Sequence, residues 1–359
     1  MTYRTRALTL AVATALTLTA CGGTTSTDTA TDTTTDTATE TATTDATGDG
    51  EVVTIYSGRN ENLVGPLLEQ LEEATGTTVE VRYGDSAELA AQLLEEGERT
   101  SADLFFSQDA GALGALAGEG RLAALDESLT GAVLDGYADD DGRWVATSAR
   151  ARVIAYNPEL APETTDMTSI DDILDPQYKG QVGIAPTNAS FQSFVTALRV
   201  TKGEDGAREW LTRLKDNEPQ IYEKNGLILD AVDSGEVALG LINHYYWYEK
   251  ADEVGIDTIT AQVHFLDSDD PGALINVAGV GILEGAEQSE GAARIIEFFL
   301  SEEGQQYFTD ETSEYPVVDG ITLKEGLTPL SELQGSTVDL NQLDSLAETL
   351  ALLEEVGLT

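Results

Sequence analysis

Past residue 50 the chain switches repeatedly between two hydrophobic periods. Val52-Val53-Thr54-Ile55-Tyr56 is a short β-branched run ended by Ser57-Gly58, and it predicts a strand. Asn62 to Ala74 then carries Leu63, Val64, Leu67, Leu68 and Leu71 at the spacing of a helix with one apolar face. Thr78 to Tyr83 alternates as a strand, and Ser86 to Glu95 predicts a helix capped by Ser86 with Glu88 close behind. Asp103-Leu104-Phe105-Phe106 predicts a buried strand, and Asp109 to Ala117 a helix closed by Gly118 and Gly120. Strand-helix alternation of this kind builds a parallel sheet with right-handed connections and helices on both faces.

The same pattern restarts at Arg152-Val153-Ile154-Ala155-Tyr156. Val182 to Ala185 leads through Pro186-Thr187-Asn188-Ala189-Ser190 into a helix ending near Leu198, with further helices at Gly206 to Leu214 and Asn225 to Ser234. Val237 to Ile242 is a strand that stops at Asn243-His244-Tyr245-Tyr246, and a Gly-rich strand at Val277 to Leu283 precedes a helix at Gly291 to Leu300. No internal repeat is visible. The reading is an α/β chain of two lobes, 52–151 with 275–325 and 152–274 with 326–359. Extended crossovers near 152–156 and 273–277 join them and close as a hinge. Ligands of such sheets bind beyond the carboxyl ends of the strands. That rule selects four loops: Ser57-Gly58-Arg59-Asn60, Ser107-Gln108-Asp109, Pro186 to Ser190 and Asn243 to Tyr246.

Composition adds a compartment. Arg4 and Arg6 precede an apolar run from Ala7 to Leu18, and Leu18-Thr19-Ala20-Cys21 follows. This is the grammar of a signal peptide over 1–21, with Cys21 where a bacterial lipoprotein is cut and acylated. Cys21 is the only cysteine, so no internal disulfide and no thiolate metal site can form. Residues 22–50 hold only Gly, Thr, Asp, Ala, Ser and Glu, the composition of a tether with nothing to bury. The expected location is therefore extracytoplasmic, on the cell membrane by a lipid anchor. The 65 acidic against 19 basic residues give a formal net charge of -46, which repels nucleic acid. That acidity reads first as a salt-tolerant surface and only weakly as attraction for a cation.

The chemistry on offer is that of binding, not of catalysis. The two histidines, His244 and His264, fit no Ser/His/Asp arrangement and form no H-x-x-x-H pair, and no phosphate-cradling Gly loop appears. Tyr245-Tyr246 at the end of a buried strand has two readings. Adjacent tyrosines are often packing residues, yet two phenolates also suit a hard trivalent cation, which prefers anionic oxygen. Pro186 to Ser190 opens a helix whose free N–H groups hold either an anion or simply a side-chain cap. Arg59 either adds a charged fork to that anion or pairs with one of the many acids.

Taken in order, Ile55-Tyr56-Ser57-Gly58-Arg59-Asn60, Ala102 to Phe106, Ser148-Ala149-Arg150-Ala151-Arg152-Val153, Ala185 to Phe191, Asn225, Leu241 to Trp247, Asp270-Pro271-Gly272-Ala273-Leu274 and Glu314-Tyr315-Pro316 resemble the bacterial ferric-iron-binding protein family. Its members are the receptors of iron ABC importers. The resemblance covers nearly all of 52–359 and implies a type II, two-lobe periplasmic-binding-protein-like fold with no enzymatic activity. It implies Fe³⁺ held by Tyr245 and Tyr246, and an ABC permease with its ATPase as partners. Some members add a His and a Glu, at positions that fall here on Asn60 and Gln108. Others add a third tyrosine, which falls on Phe191. With amides and a phenyl ring there, the remaining ligands would come from Glu61, Asp109, water or an exogenous anion. By the same resemblance that synergistic anion, phosphate or carbonate, would sit on Asn188, Ala189, Ser190, Asn225 and Asn243, with Arg59. The competing reading is a receptor for another small solute on this fold: a polyamine, phosphate or a sugar phosphate.

Overall fold

The computed structural model describes residues 52–266, 270–333 and 338–359. The signal peptide, Cys21 and the tether lie outside the described residues. Three parallel strands open the fold. β1 (Val52–Ser57) lies between β2 (Thr78–Tyr83) and β3 (Leu104–Ser107), with α1 (Glu61–Thr75) and α2 (Ser86–Glu96) as the crossovers. α1 buries Val64, Leu67, Leu68 and Leu71, the stripe that its spacing foretold. The helix expected to be capped by Ser86 is capped one residue earlier, at Asp85, and the Ser86 hydroxyl instead accepts the Gln108 N–H at 2.9 Å. α3 (Ala110–Gly118) follows β3, and α4 (Glu127–Thr130) is a single turn.

β4 (Val145–Tyr156) is longer than the sequence foretold, and all of its residues are buried. β5 (Val182–Ile184), α5 (Ala189–Asp216), β6 (Gln220–Ile221), α6 (Asn225–Ser234) and β7 (Leu239–Asn243) follow. The two helices expected within 189–216 run on from one another across Gly203, whose φ of 71° breaks the helical path. α7 (Tyr245–Val254), β8 (Gln262–His264), β9 (Ile275–Ile282), α8 (Ser289–Leu300), α9 (Glu302–Asp310) and α10 (Leu346–Val356) complete the chain.

The strand order is β2-β1-β3-β9-β4-β7-β5-β6, with β8 beside β4. β4 is the bridge. Its first part, Val145 to Ala151, pairs antiparallel with β9, and its second part, Arg152 to Tyr156, pairs with β7. The handover falls between Ala151 and Arg152. There the return path Leu274–Ile275 runs alongside, its Leu274 carbonyl accepting the Arg152 N–H at 2.9 Å. Two extended segments therefore cross side by side. The hydrophobic core divides at the same place. One cluster gathers Ile55, Phe105, Phe106, Val145, Val280 and Phe299. The others gather Ile154, Phe194, Trp210 and Leu241, and Val153, Ile228, Val232 and Ile242. The C-terminal stretch straddles the division, with Leu340, Leu343 and Leu346 in the first cluster and Leu352, Leu353 and Val356 in the second.

Candidate functional site

The four loops singled out by the strand rule touch one another. Arg59, after β1, donates through Nη1 to Gln108 Oε1 after β3 at 3.4 Å. Gln108 Nε2 donates to the Tyr245 hydroxyl after β7 at 3.3 Å. Asp109 Oδ1 accepts from Ser193 Oγ of α5 at 3.2 Å. Asn243 Nδ2 donates to Ser190 Oγ at 2.9 Å, and Asn225 Nδ2 to Asn188 Oδ1 at 3.4 Å. Loops of both halves of the sheet thus meet at Gln108–Tyr245 and Asp109–Ser193.

β7 ends at Asn243 and α7 begins at Tyr245, so the tyrosine pair occupies the first turn of a helix. Their rings stack with centroids 4.2 Å apart. Tyr245 is fully buried and Tyr246 half-buried. Burial pushes both phenols above their ordinary range. For Tyr245 the neighbouring Tyr246 and Glu314 add to the rise, and for Tyr246 a hydrogen bond from Tyr245 opposes it. The neutral phenols would release their protons to solvent only when a strong positive charge binds their oxygens. His244 is structural. Its Nδ1 accepts the Ala151 N–H at 3.2 Å, its Nε2 faces the Ser313 carbonyl at 3.0 Å, and its ring stacks on Tyr315. Nε2 therefore carries the hydrogen, and burial pulls the ring down to about 4, leaving it neutral at pH 7.

Beside the pair lies one face of β4. Successive residues of a strand alternate sides, so Ser148, Arg150 and Arg152 look the same way. Asn276 of β9 stands opposite Arg150, and Asn243 of β7 opposite Arg152. Arg150 is fully buried, yet none of its Nε, Nη1 and Nη2 atoms has a hydrogen-bond partner among the described residues. Arg152 Nη2 donates to the Leu241 carbonyl at 3.2 Å, and its Nε and Nη1 have no such partner. Asn276 Nδ2 is likewise unpartnered. Burial holds both guanidinium groups below their ordinary range, Arg152 at about 9. Buried polar groups are normally hydrogen-bonded, so this row of donors has the chemistry to receive oxyanion oxygens.

The sequence-predicted residues divide three ways. Tyr245, Tyr246, Gln108, Asn188, Ser190, Asn225 and Asn243 are brought together by the contacts above, and Ala189 is the first residue of α5, between Asn188 and Ser190. Asn60 and Glu61 are exposed at the start of α1, where the Asn60 side chain caps the helix by accepting the Asn62 N–H at 3.0 Å. Asp109 caps α3 through the Ala112 N–H at 3.1 Å, while burial pushes its carboxyl above the usual range. Arg59 does not offer its fork freely, because both Nη atoms are held by Glu314 at 3.0 and 2.7 Å. Phe191 is buried against Phe194, with the Arg152 guanidinium 5.8 Å from its ring centre. Among the described residues no group of three or more His, Cys, Asp and Glu side chains is arranged for a metal. Arg150, Arg152 and Glu314 had no role assigned from the sequence. The signal for the arginines was the alternation in Ser148-Ala149-Arg150-Ala151-Arg152, small residues one way and cations the other.

The model of the bacterial extracellular solute-binding proteins matches residues 99–332. The major ferric iron-binding protein of Neisseria meningitidis is 32% identical over 310 residues, which is 85% of this chain and 93% of that protein. The Fe(3+)-binding periplasmic protein of Serratia marcescens is 31% identical over 307 residues, 85% of this chain and 90% of its own. The crystal structure of iron-bound HitA from Pseudomonas aeruginosa superposes with a TM-score of 0.80 at 34% identity, covering 86% of this chain and 99% of that one. The fold is the type II two-lobe form, and these relatives are solute-binding proteins, not enzymes. With its crossover strands, its loops converging at the carboxyl ends of the sheet and its match across most of its length, the chain belongs to the bacterial extracellular solute-binding protein family.

Proposed function

We propose that this chain is the extracytoplasmic receptor of an iron importer, binding Fe³⁺ through Tyr245 and Tyr246 together with an oxyanion. The observation that carries the reading is the stacked tyrosine pair at the first turn of α7, with Gln108 reaching the Tyr245 hydroxyl from the other half of the molecule. Closing the two halves around a cation brings the loop of β3 onto the phenols, and opening them releases it. The names of the relatives support the cargo: ferric iron-binding proteins of Neisseria and Serratia, and an iron-bound Pseudomonas protein.

Arg150, Arg152 and Asn276 support the anion, phosphate or carbonate, with Asn188, Ala189, Ser190, Asn225 and Asn243 on its other side. Two phenolates leave a trivalent ion with one positive charge uncompensated, and an anion held by the arginines offsets it. The division of the core supports one lobe on 52–151 with 275–325 and another on 152–274, while 326–359 is shared, Leu340 to Leu346 packing on the first and Leu352 to Leu358 on the second. Anchoring through an acylated Cys21, and delivery to an ABC permease and its ATPase, complete the reading.

One observation favours a second reading. Buried guanidinium donors without protein partners also suit an anionic solute by itself, phosphate or a sugar phosphate, while they repel a polyamine. Titration separates the two. Ferric citrate added to the metal-free protein with phosphate should raise a visible phenolate-to-iron band, and Tyr245→Phe with Tyr246→Phe should abolish it. Phosphate or sugar phosphate binding that needs no iron and survives the double substitution would overturn the iron reading.

A further inference from the structure

The first two turns of α7 carry a third anionic oxygen donor. A helix sets positions three and four apart on one side, so Glu249 stands one turn beyond both Tyr246 and Tyr245. Its side chain is partly covered, and its Oε1 atom is buried with no hydrogen-bond partner among the described residues. A solvent-facing glutamate on a helix this rich in charge would normally pair with a cation. Here the cations around α7 are engaged elsewhere. Lys250 is bound to Asp230 at 2.7 Å and to Asp233 at 3.1 Å. Lys324 is held by Asp252 and by Ser313 Oγ, and Arg59 by Glu314.

Around Glu249 the acids Glu314 and Asp252 oppose its charge, while Arg59 and Lys324, both already paired, favour it. Burial, with Glu314 adding to it, pushes its carboxyl up to about 8, and its charge in turn raises both phenols. A buried carboxylate whose oxygen has no partner is unfavourable by itself and becomes favourable when a cation binds it. Such a carboxylate also answers a chemical need of the site. A hard trivalent ion prefers anionic oxygen, yet the loops of β1 and β3 offer amides, Asn60 capping α1 and Gln108 donating to Tyr245.

We infer that Glu249 is a ligand-side residue of the cation site, its buried carboxylate oxygen completing with Tyr245 and Tyr246 a three-oxygen anionic face on α7. This rests on the iron reading above and adds to it a donor from the helix that bears the phenols. The face suits a trivalent, oxygen-seeking cation better than a divalent one, because three anionic donors neutralise the higher charge.

The test is Glu249→Gln, which keeps the shape and removes the charge, with Glu249→Asp beside it. Ferric iron is added with phosphate, and citrate serves as competitor to read affinity. Glu249→Gln should lose at least about tenfold in iron affinity, about 1.4 kcal/mol. Its visible band should remain but move to longer wavelength, because a metal that has lost an anionic donor draws electron density more strongly from its phenolates. Glu249→Asp should fall between the two. A thermal melt of the metal-free variants, expected at or above that of the parent, checks the fold. Unchanged affinity and band position in a folded Glu249→Gln would overturn the inference and leave the tyrosine site standing. The absence of any visible band in the unaltered chain would remove the phenolate site and this inference with it.

Discussion

Arg59 and Glu314 lie 255 positions apart and meet in a two-pronged, fully buried ion pair, Nη1 to Oε1 at 3.0 Å and Nη2 to Oε2 at 2.7 Å. Ser148 Oγ donates to Glu314 Oε2 at 2.8 Å, and Thr312 Oγ1 reaches it at 3.3 Å. The pair locks the first loop of the sheet to the segment after α9, just beneath the phenols. Removing one member of a buried pair strands the other charge, which costs about 3–5 kcal/mol. Glu314→Gln is expected to lower the unfolding free energy by that order, read as a lower urea midpoint with an unchanged slope. A loss below 1 kcal/mol would mean that water reaches Arg59.

The same carboxylate predicts a pH dependence. Burial opposes ionisation of Glu314, but Arg59 and Arg150 outweigh it, so its folded pKa lies below the ordinary 4.5. The unfolded chain therefore takes up this proton first as pH falls. The contribution of Glu314 is fully present at pH 7 and is lost as pH drops below about 4.5 through the folded value. The many other acids also titrate there, so the measurable quantity is the difference between parent and Glu314→Gln. That difference should shrink steadily on acidification. A constant difference down to pH 3 would show that the pair does not shift the carboxyl.

Much of this is legible in the sequence. The stripe in α1 and the alternation in β2 follow from one face meeting one period, and the Gly-Leu-Ile strand leading to the tyrosines from a run buried on both faces. The four loops that touch one another followed from strand direction alone. Two kinds of feature escaped. β4 extends back to Val145 through Thr147, Ser148 and Arg150, polar residues that hydropathy assigns to a surface although all three are buried. Glu314 satisfies Ser148 and Arg59 from far along the sequence, and no local pattern encodes that. α7 was also missed as a helix. Tyr245-Tyr246-Trp247-Tyr248 has poor intrinsic helix propensity, and it is the packing of Tyr245 and Trp247, whose Nε1 donates to the Ala261 carbonyl at 2.8 Å, that holds the first turn.

Gly240 tests how rigidly the tyrosines are placed. It lies in β7, three residues before Asn243, with α6 packed directly on it. A Cβ there would stand 2.4 Å from Ile228 Cγ2 and 3.1 Å from Val232 Cγ2. One added methyl must push α6 away from the sheet, an overpacking that costs about 1–3 kcal/mol. Because β7 feeds α7, the displacement should also reach Asn243 and Tyr245. Gly240→Ala is expected to melt lower and to bind iron more weakly. Gly226→Ala in α6, where an added Cβ meets nothing within 4 Å, serves as the control and should lower neither.

Arg150 makes the opposite kind of prediction, one in which a substitution strengthens the fold and weakens the function. Its guanidinium is wholly buried, and none of its three nitrogens has a hydrogen-bond partner among the described residues. Glu314, which attracts it, is already engaged by Arg59. Unmet buried donors cost stability, and exchanging a buried ion for an apolar chain of similar length is often neutral or stabilising. Arg150→Met is therefore expected to raise the unfolding free energy of the ligand-free protein by about 1 kcal/mol. If the donors exist to receive an oxyanion, the same variant should lose the stabilisation that the anion gives. Phosphate at 100 times its Kd adds about 2.7 kcal/mol to a protein that binds it only when folded. Melts with and without phosphate should show that increment in the parent and little of it in Arg150→Met. Equal stabilisation of both would place the anion away from β4, on the α5 loop alone. A large drop in the ligand-free melt would mean that the charge of Arg150 balances Glu314 and Asp109 more than it awaits a ligand.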